Sequence, residues 1–387
     1  MSQPYVQVLV DFDIIDLSTN PFQLDDASYG ILDTSELASN DLTDVTSLVQ
    51  SVSINRGKSR QLDQFNSGTA TVVFDNSSRV LDPLNEDSPY YPNVLPRCGI
   101  QITADSIPIY YGLIVDWNLS YDITGQDIMT AICSDDFTVL ANQVLDEFTP
   151  SSETSGNRIL TVLARPEIEY LGTKQISAGS RTLGAYDVQL GTNVLNYLQL
   201  VAKSEQGAFF CSANGVLTFQ SATDTPYSNP DYVFTDNGTG IPYQSLLNQF
   251  GDEFLYNYII TESPAGGPYV ASDLDSQVRY QYQQLALTDL LNSSTGVLET
   301  IGTELLARYK DPKLRWTGLS VQLVGLPLSK QETCLQIDLT DICDVTKTFD
   351  TGTPSSITQT VSVSGINHQI IPGSHIVTFE FEPTDEE

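Results

Sequence analysis

Hydrophobic and polar residues alternate along much of this chain in short runs divided by turn residues, the pattern of half-buried β-strands. VQVLVDFDII opens it as a strand. From Val45 onward SLVQSVSI, GTATVVFDN, GIQITA, IPIYYGLIVDWNLSY and DIMTAICS continue the series. QLDQF is expected to form one short helical turn. PLNEDSPYYPN, broken by Pro83, Pro89 and Pro92, can only be a loop. Regularly spaced short strands up to about Ser134 predict a barrel or sandwich.

The pattern then becomes mixed. FTVLANQVL follows Asp135-Asp136, two acids suited to the positive end of a helix. RILTVLA is a second helix, stopped by Pro166. The strongest helical stretch is Thr192 to Gln206. Val194, Leu195, Leu198, Val201 and Ala202 share one face, Thr192 is placed to cap it and Gly207 to end it. Asn214-Gly215 between two apolar runs signals a hairpin with positive φ at both turn positions. FLYNYIITES resumes the strands. A long helix is expected from Gly296 to Tyr309, just ahead of Pro312. LRWTGLSVQLVGL, DICDVTKTF, ITQTVSVSGINHQII and HIVTFEFEP follow as strands. In the last, Val377, Phe379 and Phe381 face one way and Thr378, Glu380 and Glu382 the other. The fold class is therefore mainly β with an α+β insertion. Residues 1–137 form a first β-barrel with an acidic N-terminal segment, 138–245 a small α/β insertion, and 246–387 a second β-barrel with one long helix.

Charge changes the picture. Among 387 residues there are 17 Lys and Arg against 49 Asp and Glu, a net charge of −32, although only 17% of residues are charged. Bases are missing as much as acids are added, since an average domain is roughly 25% charged. Such a field repels phosphate and argues against binding nucleic acid through a basic surface. No apolar run approaches the roughly 20 residues of a membrane span, and the N-terminus lacks the form of a signal peptide. Five widely spaced cysteines without a CxxC pair are expected to be buried, reduced thiols.

Candidate chemistry is sparse. No G-x-S-x-G, H-E-x-x-H or G-x-x-x-x-G-K-[ST] pattern occurs. Acids are so many that neighbours such as Asp135-Asp136 or Asp25-Asp26 carry no dyad signal. Asp75, Asn76, Ser78, Asp82, Asn85 and Asp87 gather oxygens in one loop, but their spacing departs from a calcium-binding EF-hand, and closing turns is the simpler role. His368 and His375 flank Pro372-Gly373-Ser374, a pair without a third metal ligand, and are expected at an exposed hairpin tip. No catalytic centre, metal or cofactor is expected. The scarce bases are more informative: Arg56, Lys58 and Arg60 form one cluster, and Arg308, Lys310, Lys313 and Arg315 another. They are either solvated turns or contacts between subunits of an acidic assembly.

INRGKSRQLDQFNSGTATVVFDNSSRVLDPLNEDSPYYPN resembles a stretch of the minor tail proteins of long-tailed bacteriophages. Arg56-Gly57, Leu62, Gly68-Thr69-Ala70, Asp75-Asn76, Asp82-Pro83 and Ser88-Pro89-Tyr90 carry the likeness. It continues through Tyr111-Gly112, Trp117, Ser204 to Gly207, Asn214-Gly215, LLARYKDPKLRW, Gly365 to His368 and Phe379. The resemblance implies a tail hub, similar to baseplate hubs, with two tail-tube-like barrels per chain. Such a homotrimer makes a pseudo-sixfold ring at the virion tail tip. Its implied partners are a distal tail or tail tube protein, a tip or fibre protein and the tape measure protein, with DNA only as passing cargo and no membrane insertion. The alternatives are a hexameric distal tail protein, a carbohydrate-binding receptor module, or a wall-cutting tail enzyme, for which the stretch after the last strand leaves no expected room.

Overall fold

The computed structural model describes residues 3–12, 42–58, 60–224 and 230–384. The acidic N-terminal segment from Asp13 to Asp41, including Asp25-Asp26, lies outside the described residues.

The first half contains β1 (Val6–Val10), β2 (Val49–Gly57), β3 (Asn66–Asp75), β4 (Gly99–Ala104), β5 (Ile107–Ser120) and β6 (Ile128–Ser134). Alternation decides which face is buried. In β3, Gly68, Ala70, Val72 and Phe74 point into the core while Thr69 and Asp75 face out. The strands pair antiparallel in the order β2-β3-β6-β5-β4, and β1 covers the outer edge of β4. The loop after β3 folds on its own polar side chains. Asn76 Oδ1 accepts from Leu81 N–H at 2.9 Å, Asp82 Oδ1 from Leu84 N–H at 2.9 Å, and Asn85 Oδ1 from Asp87 N–H at 3.2 Å. The side-chain oxygens of Asn76, Asp82 and Asn85 are thus occupied in closing turns.

The insertion carries α1 (Phe137–Ala141), α2 (Ser155–Leu163), α3 (Val194–Glu205) and the hairpin β7 (Ala208–Cys211) with β8 (Leu217–Gln220). Two local expectations shift by one residue. Asn193, not Thr192, caps α3 by accepting from Asn196 N–H at 3.0 Å, and Gln206, not Gly207, takes the left-handed conformation that ends it. At the hairpin only Gly215 has positive φ, because Ser212 N–H reaches Val216 O and makes the loop longer than a two-residue turn. Arg158 of α2 is fully buried. It donates to Glu153 at 2.7 Å, Tyr197 at 2.9 Å, and the carbonyls of Ser151 at 2.8 Å and Gly184 at 2.9 Å, tying the insertion together.

In the second half one strand of the large sheet, Tyr232–Thr235, lies ahead of residue 246. β9 (Tyr232–Thr235) and β10 (Ser245–Gln249) already pair into the large sheet. Next comes a separate layer: β11 (Tyr258–Ser263), β12 (Gly266–Ser272), α4 (Leu274–Tyr280), β13 (Gln284–Leu287) and α5 (Thr295–Tyr309). Leu298, Ile301, Leu305 and Tyr309, one face of α5, join Ile259, Ala271 and Leu290 in an apolar cluster of their own. The long helix thus belongs to this layer rather than to the second sheet. The chain closes with β14 (Arg315–Gln322), α6 (Leu328–Gln336), β15 (Ile342–Thr348), β16 (Ser356–Ile371) and β17 (Ser374–Pro383). In β17 the buried residues are His375, Val377, Phe379 and Phe381, as the alternation predicts.

The two halves repeat one topology. The second pairs in the order β10-β14-β17-β16-β15, which is β2-β3-β6-β5-β4 again. In each, the second strand, β3 or β14, is followed by a crossing and a three-stranded meander whose last strand returns beside it. The longest strand of each meander carries a one-residue bulge at the same place. Val115 of β5 is the extra residue between Ile114↔Cys133 and Asp116↔Ile132, and Ser364 of β16 is the extra residue between Val363↔Phe381 and Gly365↔Glu380.

Among the described residues the pairing is an open, branched path and closes no barrel. The outer edge of β4 is taken by β1, and that of β2 by β16, which fuses the two units. At this seam Gly57 faces Gly365. His368 and His375 lie on the adjacent strands β16 and β17, at 4% and 0% exposure, with His368 Nδ1 3.1 Å from His375 Nε2. The pair is core, not a hairpin tip, because β2 covers His368 through its pairing with Ile54.

Candidate functional site

The seam opens at one end into a cleft of about 820 Å³. The loop after β2, the end of α3, the last turns of α5, the start of β14 and the ends of β16 and β17 enclose it. Lys58, Arg181, Lys203, Arg308, Lys313 and Arg315 line it against only three carboxylates, Asp63, Glu304 and Glu382. Six of the chain's 17 bases thus converge on one place in a protein of net charge −32. The two sequence clusters meet here through Lys58 from the first and Arg308, Lys313 and Arg315 from the second. Arg181 and Lys203 complete the set, and nothing in their sequence neighbourhood distinguishes them; only the fold of the insertion brings them in.

The remaining singled-out bases point elsewhere. Arg56 is 4% exposed and donates to Asp338 Oδ1 at 2.7 Å and Cys211 O at 3.1 Å. It is an internal strut between β2, the insertion and the segment before β15, so burial removes it from any docking surface. Arg60 pairs with Glu253 at 2.8 Å and Lys310 with Asp273 at 2.9 Å, both within the chain. In the cleft, Lys58 is held by Glu382 at 2.9 Å, Arg181 by Glu304 at 2.9 Å, and Lys203 by Asp289 at 2.7 Å.

Arg315 differs from all of these. It is 5% exposed, and its Nε and Nη2 have no hydrogen-bond partner among the described residues. Its guanidinium lies 5.8 Å from the Tyr309 ring and 6.0 Å from that of Phe254, and burial pulls its pKa down. The aromatic faces offset part of the desolvation cost, and among the described residues no carboxylate is paired with it. The cleft thus gathers positive charge, part of it already paired, in an otherwise acidic chain. In the isolated chain Arg315→Met is expected to leave the melting temperature unchanged or to raise it, because a buried unpaired cation is replaced by an apolar side chain of similar length. Differential scanning fluorimetry checks this; a clear drop would show that the guanidinium is satisfied in the free subunit.

The fold has known counterparts. A tail protein from Neisseria meningitidis MC58 matches 98% of this chain and 96% of its own, at 11% identity and a TM-score of 0.62. The 43 kDa tail protein of prophage MuSo2 from Shewanella oneidensis gives 0.59 at 12% identity, over 99% and 97% of the two chains. Prophage tail protein gp18 from Listeria monocytogenes EGD-e gives 0.53 at 10% identity, over 89% and 92%. The fold is that of prophage tail proteins. No protein-family model and no curated protein matches the sequence. Within this tail-protein fold the cleft occupies the seam between the two sheet units, beside the α5 layer.

Proposed function

We propose that the protein is a structural subunit of a bacteriophage tail, a non-catalytic hub whose three copies close a ring. The duplicated sheet unit, down to its matching bulges, carries this reading. Three chains with two equivalent units each present six alike surfaces, suited to a sixfold tube or distal tail protein on one side. The insertion and the α5 layer occur once per chain and repeat only three times, suited to threefold tip or fibre proteins on the other. The likeness to tail proteins along nearly the whole chain supports the same role. DNA is passing cargo in it, and an acidic bore repels phosphate over roughly the 8 Å screening length of physiological salt. Native mass spectrometry is expected to find an assembly of three times the 42.4 kDa chain. A six-copy ring would favour a hexameric distal tail protein, and a monomer at every concentration would sink the proposal.

A further inference from the structure

We propose that β10 of one copy pairs antiparallel with the free edge of β5 in the next copy, and that this junction closes the ring. The inference rests on the proposed ring, but its geometry is taken from the chain itself. β5 and β16 are counterparts: β4 accompanies β5 as far as Leu113, and β15 accompanies β16 as far as Ser362. The bulged residues Val115 and Ser364 come two positions later in each. Beyond the bulge the counterparts differ. Gly365–Ile370 is covered by β2 of the same chain, in register from Gly57↔Gly365 to Val52↔Ile370. The equivalent edge of β5, from Asp116 to Tyr121, has no backbone partner among the described residues. The counterpart of β2 is β10, which ends the sheet path with its outer edge open among the described residues. The chain therefore uses this junction once and leaves both halves of a second one unused.

Burial tells the same story. β2 buries Val52, Ile54, Arg56 and Gly57, whereas β10 buries none of its residues. Past the bulge β16 buries Ile366, His368 and Ile370, whereas none of Val115–Ser120 is buried. Leu247 is 58% exposed and Phe250 70%; across the gap Tyr121 is 57% exposed and Ile123 is wholly exposed. Open strand edges with exposed apolar side chains are templates for pairing, and an acidic surface keeps them from unselective association.

The register follows. Thr71 of β3 and Gly318 of β14 hold equivalent places, opposite Ile132 and Glu380 respectively. Thr71 faces Ser53, and Gly318 faces Leu247, so Leu247 is the counterpart of Ser53. Ser53 faces Gln369, whose counterpart on β5 is Ser120. Leu247 of one copy therefore lies opposite Ser120 of the next, and Leu246 opposite Tyr121.

Paired Cα atoms in antiparallel strands are about 4.5–5.5 Å apart, within reach of a disulfide. The five native thiols are all buried, so introduced ones can be read separately. Mixing full-length L247C with S120C under mild oxidation is expected to give a covalent dimer that neither variant forms alone. The L247C/S120C double variant is expected to give a ladder ending at three chains. Pairing L247C with N118C, a slipped register, should react at least tenfold more slowly. L247K is expected to raise the concentration needed for assembly at least tenfold while the isolated chain unfolds as before. A wild-type ring without this cross-link, together with unchanged assembly of L247K, would overturn the junction and leave the ring standing. Absence of any wild-type ring would overturn both.

Discussion

Alanine at position 57 is expected to break the seam between the two sheet units. Gly57 has φ +108°, a region closed to side-chain-bearing residues. A Cβ there would lie 2.3 Å from Ser364 O and 2.6 Å from Gly365 Cα. Both are backbone atoms of the bulged stretch of β16 and cannot rotate away. The strained φ alone costs about 1–3 kcal/mol. Displacing β16 adds the loss of ladder pairing and of the core behind it, for an expected total of about 4–5 kcal/mol. Gly125→Ala is the matched control, since Gly125 has φ +80° with nothing within 4 Å of its added Cβ. It should cost about 1 kcal/mol, the left-handed penalty by itself. Urea unfolding of both variants measures the difference. If G57A loses no more than G125A, the close approach of the two glycines does not hold the units together.

The seam also shows what the sequence could and could not disclose. Alternation is local, so the two faces of β17 were legible residue by residue, and so was most of the apolar face of α3. Pairing between distant strands is not local. Gly57 reads as an ordinary turn glycine until Gly365 is set against it. The duplication was legible only as two strand-rich regions, because it resides in strand order and bulge position, which different side chains satisfy equally well. β9 is short and bordered by turns, so nothing in its pattern assigned it to the second sheet. The cleft was half legible: the scarcity of bases made two clusters stand out, yet Arg56 from the first is a buried strut, while Arg181 and Lys203 enter only through tertiary folding. The burial of His368 and His375 is hidden from the sequence for the same reason. A Pro-Gly-Ser turn marks a hairpin correctly, but whether its strands are covered depends on β2, more than 300 residues away.

Those histidines are expected to make the fold acid-sensitive in a way that can be isolated. Burial, then the neighbouring His375, then Arg56, hold His368 well below its ordinary pKa, and burial lowers His375 to about 4. In the unfolded chain a histidine takes its proton near pH 6.5. Between about pH 6.5 and 4 the unfolded state therefore binds more protons than the folded state, and stability falls as pH falls. For His375 the gap of about 2.5 pH units corresponds to about 3 kcal/mol, at 1.36 kcal/mol per unit. Asp135 and Asp341 act in the opposite sense. Burial raises both to about 6, so the folded state takes up their protons first and gains stability as pH drops below that value. The wild-type pH curve mixes the two effects, but a difference between variants cancels the aspartates, which are common to them, and reports the histidine pair, since His368 loses its neighbour as well. His375→Gln is accordingly expected to gain about 3 kcal/mol relative to the wild type between pH 7 and 4, whatever its stability at pH 7. Chemical denaturation across that range gives the difference directly. A flat difference would mean that His375 takes its proton in the folded chain at its ordinary pKa, and that the β16–β17 core admits water around it.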